Sequence, residues 1–224
     1  MAKIYIIATP IGNLKDITFR ALEALKEADL ILCEDTRHTL NLLNHYEIKK
    51  PLWSYHQHTK INKIENIISL LNQGKTLALV SDAGTPGISD PGNKLIEEII
   101  KNDPSTEIIP IPGPSAVLAL ASVSGFPTDK FLFMGFPPQK NKREKFFVEA
   151  TTCQYSAIFY ESPYRIIKAL DSIEKLSPEA DIVVGRELTK RFETIYRGKA
   201  KQIKEILQKE GPKGEFAVVI RGKE

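Results

Sequence analysis

The sequence predicts an α/β protein built from two small domains. Short apolar runs rich in β-branched residues, such as Lys3–Ala8 and Thr76–Val80, have the length of buried strands. Stretches with apolar residues at helical spacing lie between such runs, for example Ile61–Leu71. A cluster of prolines and glycine at Ile111–Ala116 interrupts this alternation near the middle of the chain. Alternating strands and helices are typical of sheets covered by helices, so we expect two three-layer α/β domains, residues 1–113 and 114–224.

The first half contains five predicted strands joined by helices. Each strand is a short apolar run, and a turn and a helical stripe of apolar residues separate it from the next. Asp16 or Thr18 can cap the first helix, and Gly74 lies where left-handed C-caps occur. The predicted strands are Lys3–Ala8, Leu30–Cys33, Pro51–Tyr55, Thr76–Val80 and Glu107–Pro110, and the helices are Phe19–Ala28, a short helix ending near Tyr46, Ile61–Leu71 and Asn93–Lys101.

The second half includes a predicted β-hairpin. Asp181–Leu188 and Glu193–Arg197 flank a polar turn and can pair as antiparallel strands. Ser162 and Pro163 suit the cap and the first position of the helix that ends at Leu176. The other predicted elements are strands at Phe131–Phe136, Ser156–Tyr160 and Phe216–Ile220, a helix led by the basic segment Lys140–Lys145, and a helix with Ile203, Ile206 and Leu207.

The composition is that of a globular protein. Of the 224 residues, 42% are hydrophobic and 26% are charged, and no apolar run approaches the ~20 residues that span a bilayer. The N-terminus enters the first strand directly, so no signal peptide is expected. Cys33 and Cys153 are too few and too far apart for a disulfide framework, which favours a cytoplasmic setting.

The charge is unevenly divided between the two halves. Residues 1–113 carry 12 Lys and Arg against 14 Asp and Glu, a net charge of −2. Residues 114–224 carry 19 Lys and Arg against 14 Asp and Glu, a net charge of +5. The second half is therefore the better candidate for contact with a polyanion, and a solvated basic surface is the alternative.

Four turns that follow strands contain more polar and Gly/Pro residues than a plain connection needs. The third turn alone has three glycines, two prolines and two aspartates. Glycine allows a ligand close to the backbone, and proline fixes φ. In a parallel sheet all four would meet at one edge, where open α/β sheets bind small molecules. The four turns are Thr9–Leu14, Glu34–Arg37, Ser81–Gly92 and Ile111–Ser115.

Several common site types are missing from the sequence. It has no Walker A motif and no Gly-x-Gly-x-x-Gly after a strand, which argues against NTPases and dinucleotide dehydrogenases. It also lacks a Gly-x-Ser-x-Gly elbow and a recognised spacing of metal ligands. A ligand with adenosine but no pyrophosphate remains open. Phe159–Arg165, with the aromatic pair Phe159 and Tyr160, a carboxylate and an arginine, could hold such a ligand by stacking and hydrogen bonding.

Together these segments resemble the tetrapyrrole methylase superfamily of S-adenosylmethionine-dependent enzymes. Within it, the chain is similar to the branch that methylates the ribose 2′-hydroxyl of a cytidine in bacterial small-subunit ribosomal RNA. The matching segments span essentially the whole chain: Ala8–Leu14, Glu34–Arg37, Ser81–Gly92, Pro112–Ala116, Tyr160–Pro163 with Arg165, and Arg186–Lys190.

The resemblance implies a fold, a cofactor and a substrate. The fold would be two α/β domains with S-adenosylmethionine in the cleft between them, in a homodimer that uses no metal. The substrate would be a cytidine in the decoding region of 16S ribosomal RNA within an assembled subunit. The implied cofactor contacts are Pro10, Asp82, Ala83, Gly84, Ile88, Pro112, Gly113, Ser115, Ala116, Tyr160, Glu161, Ser162, Glu215 and Phe216.

Two groups of residues are predicted to act on the RNA. Glu34 or Asp35 could accept the proton of the ribose hydroxyl, and Arg37 could bind RNA. An Asp35–Arg37 pair that only holds the turn is an equal alternative. Phosphate contacts are expected from basic side chains of the second half, which bind regardless of base sequence: Lys140, Lys142, Arg143, Lys145, Arg165, Lys190 and Arg191.

Two other functions compete with this interpretation. A small-molecule methylase acting on a tetrapyrrole would have a deep closed pocket and no affinity for RNA. A non-catalytic RNA-binding protein would have damaged cofactor loops, whereas the loops of this chain are complete in sequence. The basic second half favours an RNA substrate over a tetrapyrrole.

Overall fold

The computed structural model describes residues 2–56 and 61–223. The chain divides into two compact units, residues 1–115 and 116–224. The boundary predicted from the sequence, between residues 113 and 114, lies two residues earlier. The described residues contain no helix that is long and apolar enough to cross a membrane.

The N-terminal unit contains an entirely parallel sheet. The strand order is β3-β2-β4-β1-β5, and β1 pairs in register with β4 on one side and with β5 on the other. The sequence-predicted strands are confirmed with small shifts at their ends. They are β1 (Lys3–Ile7), β2 (Leu30–Cys33), β3 (Leu52–Ser54), β4 (Thr76–Val80) and β5 (Glu107–Ile111).

Helices cover both faces of this sheet. Side chains alternate along β1, so Tyr5 and Ile7 pack into one core while Ile4 packs into the other. Thr18 caps the first helix by accepting the Ala21 N–H, which decides between the two predicted caps. The three-layer prediction is confirmed for this unit. Its helices are α1 (Phe19–Glu27), α2 (Thr36–His45), α3 (Ile61–Asn72) and α4 (Asn93–Asn102).

The C-terminal unit has a mixed sheet in the order β6-β7-β10-β8-β9. Only β6 and β7 are parallel, and β10 runs antiparallel to both of its neighbours. The predicted hairpin is confirmed, because β8 and β9 pair in antiparallel register. The strands are β6 (Phe131–Phe133), β7 (Ser156–Glu161), β8 (Asp181–Arg186), β9 (Thr194–Lys199) and β10 (Phe216–Ile220).

Four helices accompany the second sheet. α6, α7 and α8 contribute to the core on one face, which includes Val184. The next residue, Gly185, points to the other face, where an added Cβ would lie 2.9 Å from Leu120 of α5. The close approach of α5 therefore needs glycine there. The helices are α5 (Ala116–Ser124), α6 (Arg143–Thr152), α7 (Ile166–Leu176) and α8 (Ala200–Glu210).

The start of α7 differs from the sequence prediction. Ser162 does not cap the helix and Pro163 is not its first residue, because α7 begins at Ile166 with Arg165 as its N-cap. The Ser162 carbonyl instead accepts hydrogen bonds from the backbone N–H groups of Arg165 and Ile166 in a turn. The Ser162 N–H is bound by the Glu161 carboxylate at 2.8 Å, so the preceding strand rather than the helix organises this turn.

Candidate functional site

The four turns singled out in the sequence lie at one edge of the N-terminal sheet, as predicted. Each follows the carboxyl end of a parallel strand, and the first and third turns are joined directly. The Thr9 N–H donates to the Gly84 carbonyl at 2.9 Å, and the Gly84 N–H returns a bond to Thr9 at 3.0 Å. The buried Thr9 hydroxyl also donates to the Ser81 carbonyl at 3.1 Å. The chain thus reverses direction right after β4.

The fourth turn packs tightly against the first. A Cβ on Gly113 would lie 3.0 Å from the Ala8 Cβ, and one on Gly84 would lie 3.6 Å from the Pro114 carbonyl oxygen. The Gly113 distance is tighter than ordinary van der Waals contact, whereas the Gly84 distance is ordinary and the positive φ of Gly84 is what favours glycine there. The approach of a ligand to the backbone of these Gly/Pro turns stays a prediction, and the scarcity of side chains at this edge is compatible with it.

The long third turn, Ser81–Gly92, depends on its glycines. Gly84, Gly87 and Gly92 all have positive φ, which L-residues rarely adopt. The Asn93 side-chain amide donates to the Gly87 carbonyl at 3.0 Å and ties the far end of the turn to α4. The Ile88 side chain, a predicted cofactor contact, is 48% exposed, so its apolar surface is accessible at this turn.

The second turn is connected to the third through a carboxylate. The Asp35 N–H donates to Asp82 Oδ1 at 3.1 Å. The Asp35 carboxylate accepts from the Arg37 backbone N–H at 2.8 Å and from its Nε and Nη2 at 3.1 and 2.7 Å. These bonds to the ionised form hold the pKa of Asp35 well below its usual range. Asp35 and Arg37 therefore form a capping ion pair at the start of α2.

Acidic side chains crowd this edge. Burial raises the pKa of Asp90 to about 6, and the negative charges of Glu34 and Asp82 add to the effect. Burial also raises the pKa of Glu34, and Asp82 contributes, while His56 acts in the opposite direction. No Lys or Arg side chain in residues 2–56 and 61–223 forms an ion pair with any of the three carboxylates.

Asp90 is a site residue that the sequence prediction missed. Its only sequence signal is a second aspartate in a Gly/Pro-rich turn, and its burial depends on how that turn folds. The charge at this edge favours a ligand that brings positive charge, and a carboxylate with a raised pKa is a better proton acceptor than an ordinary one.

The C-terminal unit contains a buried ion-pair cluster at the end of β7. The Glu161 side chain is fully buried and accepts from Arg143 Nη2 at 3.0 Å and from Arg165 Nε at 2.9 Å. Arg143 and Arg165, which were predicted to bind phosphate, therefore bind the side chain of Glu161, which was predicted to contact the cofactor. Next to Glu161, the Tyr160 ring contacts Phe133 and Phe136 at centroid distances of 5.1 and 5.4 Å. This strand end is thus fixed by charge on one side and by aromatic packing on the other.

A second cluster lies where β8 and β10 meet. The Lys190 ammonium donates to Glu187 at 3.0 Å and to Glu215 at 2.9 Å. The Glu215 N–H also donates to Glu187 at 2.8 Å. Burial opposes the ionisation of Glu187, but the Glu215 N–H and the Lys190 ammonium outweigh it and lower the pKa. Lys190, a predicted phosphate contact, is therefore already bound by two carboxylates.

Other basic residues are exposed beside aromatic rings. The Arg191 guanidinium lies 5.5 Å from the centroid of the Phe192 ring, which is 70% exposed at the tip of the β8–β9 hairpin. Tyr164, beside Arg165, is 91% exposed. Lys142 is exposed at the start of α6 and has a left-handed backbone conformation. The sequence placed Tyr164 in the Phe159–Arg165 segment and Phe192 in the hairpin turn, but it assigned neither ring a contact of its own.

The predicted cofactor contacts fall on both units. In the N-terminal unit, Pro10 and Gly84 are buried, Ala83 and Pro112 are exposed, and Ser115 is half-buried. Those of the C-terminal unit are Ala116 at the start of α5, Tyr160, Glu161 and Ser162 around the end of β7, and Glu215 and Phe216 at the start of β10.

No group of three or more His, Cys, Asp or Glu side chains in residues 2–56 and 61–223 is arranged to hold a metal ion.

Comparison with known proteins identifies relatives along the whole chain. Residues 3–204 match the model of the family Tetrapyrrole (Corrin/Porphyrin) Methylases. A Thermotoga maritima protein named ribosomal RNA small subunit methyltransferase I is 44% identical over 224 residues, which is 100% of both chains. A Halalkalibacterium halodurans protein of the same name is 44% identical over 220 residues, 98% of this chain and 75% of its own.

Solved structures share the fold at low sequence identity. Diphthine synthase aligns with a TM-score of 0.76 at 14% identity and covers 99% of this chain and 90% of its own. The methyltransferase CobJ aligns with a TM-score of 0.72 at 18% identity, with coverages of 99% and 95%. At this identity the likeness establishes the fold alone.

Proposed function

We propose that this chain, which belongs to the tetrapyrrole (corrin/porphyrin) methylase family and is a methyltransferase, acts on small-subunit ribosomal RNA. The methyl group comes from S-adenosylmethionine, and the acceptor is the ribose 2′-hydroxyl of a cytidine in the decoding region. The observation that carries the proposal is the full-length match, at 44% identity, to relatives named ribosomal RNA small subunit methyltransferase I. The net charge of +5 on residues 114–224 supports a polyanionic substrate.

The N-terminal edge fits a cofactor that carries positive charge. Gly84 and Gly113 keep side chains away from the strand ends, so backbone groups can contact a ligand. The charge of Asp82 raises the electrostatic cost of ionising Glu34, and the charges of Glu34 and Asp82 raise that of ionising Asp90, so a cationic ligand would relieve this cost. When bound, S-adenosylmethionine would supply an electrophilic methyl group on a positively charged sulfur.

Glu34 is the group we assign to accept the proton from the ribose hydroxyl. Its pKa is raised, which brings it toward the range in which a general base is effective. The pKa of Asp35 is lowered by its bonds to Arg37, which makes it the weaker acceptor of the two predicted candidates. The Arg37 side chain is 89% exposed and keeps donors for an RNA phosphate while it neutralises Asp35.

The C-terminal unit supplies the phosphate contacts in this proposal. Lys142 and Arg191 are exposed, and Arg191 adjoins the exposed Phe192 ring on which a base could stack. Arg143 and Arg165 serve first to hold Glu161 and contact RNA only through their remaining donors. The proposal also includes the homodimer and the cytoplasmic location that the resemblance implies.

The test is methyl transfer from tritiated S-adenosylmethionine to small ribosomal subunits that lack native modification. Free ribosomal RNA and a tetrapyrrole serve as parallel acceptors, and the labelled nucleoside is identified by digestion and chromatography. We expect label in 2′-O-methylcytidine from assembled subunits. Label in another nucleoside would contradict the cytidine ribose assignment, and label in the tetrapyrrole alone would contradict the RNA substrate.

A further inference from the structure

Three exposed aromatic rings lie at one end of the C-terminal sheet. Among residues 116–223, four aromatic side chains are exposed, and three of them follow the carboxyl ends of β6, β7 and β8. These three, which we call the aromatic edge, are Phe136, Tyr164 and Phe192, and their exposed fractions are 52%, 91% and 70%. The fourth exposed ring, Tyr155, precedes β7 and therefore lies at the opposite end of the sheet.

The pairing of the strands brings the three connections that carry these rings together. β6 and β7 are parallel neighbours, and beyond β6 the Tyr160 N–H donates to the Gly135 carbonyl at 2.9 Å. Glu161 at the end of β7 pairs with Phe216, which also pairs with Arg186 at the end of β8. Since β8 is the third strand from β6 in the sheet, the ends of β6, β7 and β8 lie within ~15 Å of one another. The three connections therefore begin side by side at one edge.

The first ring of the aromatic edge is fixed next to a basic connection. The Phe136 ring packs against Tyr160 at a centroid distance of 5.4 Å, and half of its surface remains exposed. The connection from β6 to α6, residues 134–142, contains Lys140 and Lys142 and no acidic residue. An aromatic face and two cationic side chains are therefore carried by one short segment.

The other two rings lie in turns that are closed by backbone hydrogen bonds. Tyr164 lies in the turn 162–165, whose last N–H donates to its first carbonyl at 3.0 Å. Phe192 lies in the turn 190–193, which a bond of the same kind closes at 3.1 Å. Because the backbone of both turns is already ordered, a ligand that binds these rings pays little further entropy to order it.

The charge of the aromatic edge favours a polyanion. The three connections, residues 134–142, 162–165 and 187–193, contain five basic and two acidic residues, a net charge of +3. Both acidic residues already accept hydrogen bonds within the hairpin turn, Glu187 from a lysine ammonium and Glu193 from a backbone N–H. The net charge of this edge is thus positive, and its carboxylates are bound within the fold.

Three of the basic side chains remain available to phosphates. Across residues 2–56 and 61–223, no carboxylate forms an ion pair with Lys140, Lys142 or Arg191. The Arg191 guanidinium lies 5.5 Å from the centroid of the Phe192 ring. Lysine and arginine bind phosphates regardless of base sequence, and an aromatic ring stacks with any base. Rings beside cations are typical of surfaces that bind single-stranded nucleic acid.

We propose that the aromatic edge binds a single strand of RNA, with bases stacked on the three rings and phosphates against Lys140, Lys142 and Arg191. This inference rests on the proposed RNA substrate and extends it from separate phosphate contacts to a surface that binds unpaired bases. Single-stranded segments can place their bases on aromatic side chains, whereas the bases of a duplex are stacked on one another. The RNA that reaches this surface is therefore unpaired there.

The test measures binding of a fluorescently labelled, single-stranded oligoribonucleotide of about a dozen nucleotides to the full chain and to variants. Phe136→Ala, Tyr164→Ala and Phe192→Ala should each weaken binding by about fivefold or more, since each removes one stacking partner. These variants keep every charge, so the slope of log K against log salt should not change. Lys142→Gln should instead reduce the magnitude of this slope by ~0.7, because it removes one phosphate contact.

Two further substitutions separate stacking from simple apolar contact. Phe192→Trp keeps a ring and should retain binding, whereas Phe192→Leu keeps only apolar surface and should weaken binding as much as Phe192→Ala. The matched control is Tyr155→Ala, which removes an exposed ring from the opposite end of the same sheet and should leave binding unchanged. Equal losses in the control and in the ring variants, or no binding by the original chain, would overturn the inference.

Two measurements test other occupants of the exposed rings. Displacement of the labelled strand by duplex RNA as effectively as by unlabelled single strand would overturn the assignment to unpaired bases. Sedimentation velocity of each variant tests for a second copy of this chain on the aromatic edge. A loss of RNA binding that accompanies a change in association state would assign the rings to an interface between copies and overturn the inference.

Methyl transfer to small subunits is measured in parallel, which separates the two proposals. Transfer by the original chain, without any loss of oligonucleotide binding in the ring variants, overturns the aromatic edge alone. Binding that depends on the rings, in a chain that transfers no methyl group to RNA, supports the aromatic edge and contradicts the proposed function.

Discussion

The two units differ in whether the carboxylates near the ends of their strands are paired with Lys or Arg side chains. In the N-terminal unit, Glu34, Asp82 and Asp90 gather without an ion pair to a described Lys or Arg side chain, and burial raises the pKa values of Glu34 and Asp90 although His56 opposes the rise at Glu34. In the C-terminal unit, Glu161 is held by two arginines and Glu187 by Lys190. The carboxylates paired with Lys or Arg stabilise turns, whereas those without such a partner leave negative charge that a cationic ligand can neutralise. The residue type alone therefore does not show whether a carboxylate in a turn binds a ligand or stabilises the fold. The partners of its side chain in the structure distinguish the two roles.

The largest effect is expected from breaking the paired cluster. Glu161→Ala leaves Arg143 and Arg165, whose side chains are 17% and 24% exposed, without their buried partner. Removing one member of such a cluster costs about 3–5 kcal/mol, because the remaining charges stay desolvated. Urea unfolding of the C-terminal unit measures this loss. Glu149→Ala removes the same charge from an exposed position on α6, and an equal change in both variants would contradict the structural role of Glu161.

The next effect concerns catalysis at the edge of the N-terminal sheet where Glu34 lies. Glu34→Gln should lower the single-turnover rate of methyl transfer by ~10²–10⁴-fold, since it removes the proton acceptor. Asp35→Ala should instead lower the unfolding free energy by about 1 kcal/mol through loss of the α2 cap, and it should change the rate little. Calorimetry checks that cofactor affinity is retained in both variants. A greater rate loss in Asp35→Ala than in Glu34→Gln would reverse the assignment of the base.

A smaller effect follows from the raised pKa of Asp90. Its pKa is about 6 in the fold against 3.8 for the free side chain, so the folded state binds the proton more tightly. Ionisation of Asp90 therefore costs stability as pH rises through this window, and the full cost applies above pH ~6. Asp90→Asn should be more stable than the original chain at pH 7 by about 1 kcal/mol, after allowance for solvent screening. Thermal unfolding at several pH values should show this advantage disappearing below pH ~4, and a constant difference would contradict it.

The smallest effect is expected at an exposed ion pair of the C-terminal unit. The Glu215 side chain is 77% exposed and contacts Lys190, which also binds Glu187. Glu215→Gln should change the unfolding free energy by about 0.5 kcal/mol or less, and added salt should remove the difference. Urea unfolding at low and high salt measures the difference. A loss of stability as large as that of Glu161→Ala would contradict the expectation that an exposed ion pair contributes less than a buried one.

The sequence predicted the frame of the fold and the edge where the turns meet. Strand ends could be predicted because apolar runs such as Thr76–Val80 are local features, and a parallel arrangement then brings their turns together. The side-chain clusters could not be predicted in the same way. Arg143 is 18 positions from Glu161, and its distance in space depends on the packing of α6 against β7. The same limit applied to Asp90, whose burial arises from the path of the whole Ser81–Gly92 turn.

The reciprocal bonds between Thr9 and Gly84 have a consequence for hydrogen exchange. These two amides lie outside the strands, yet each is bonded across the end of the parallel sheet. They should exchange with solvent as slowly as the neighbouring strand amides, because both open only when the ends of β1 and β4 separate. The exposed Ser89, further along the same turn, should exchange far faster. The Ser81–Gly92 turn would therefore contain one slowly exchanging amide, that of Gly84, and one rapidly exchanging amide, that of Ser89. A ligand that binds at this turn could be detected by its effect on either exchange rate.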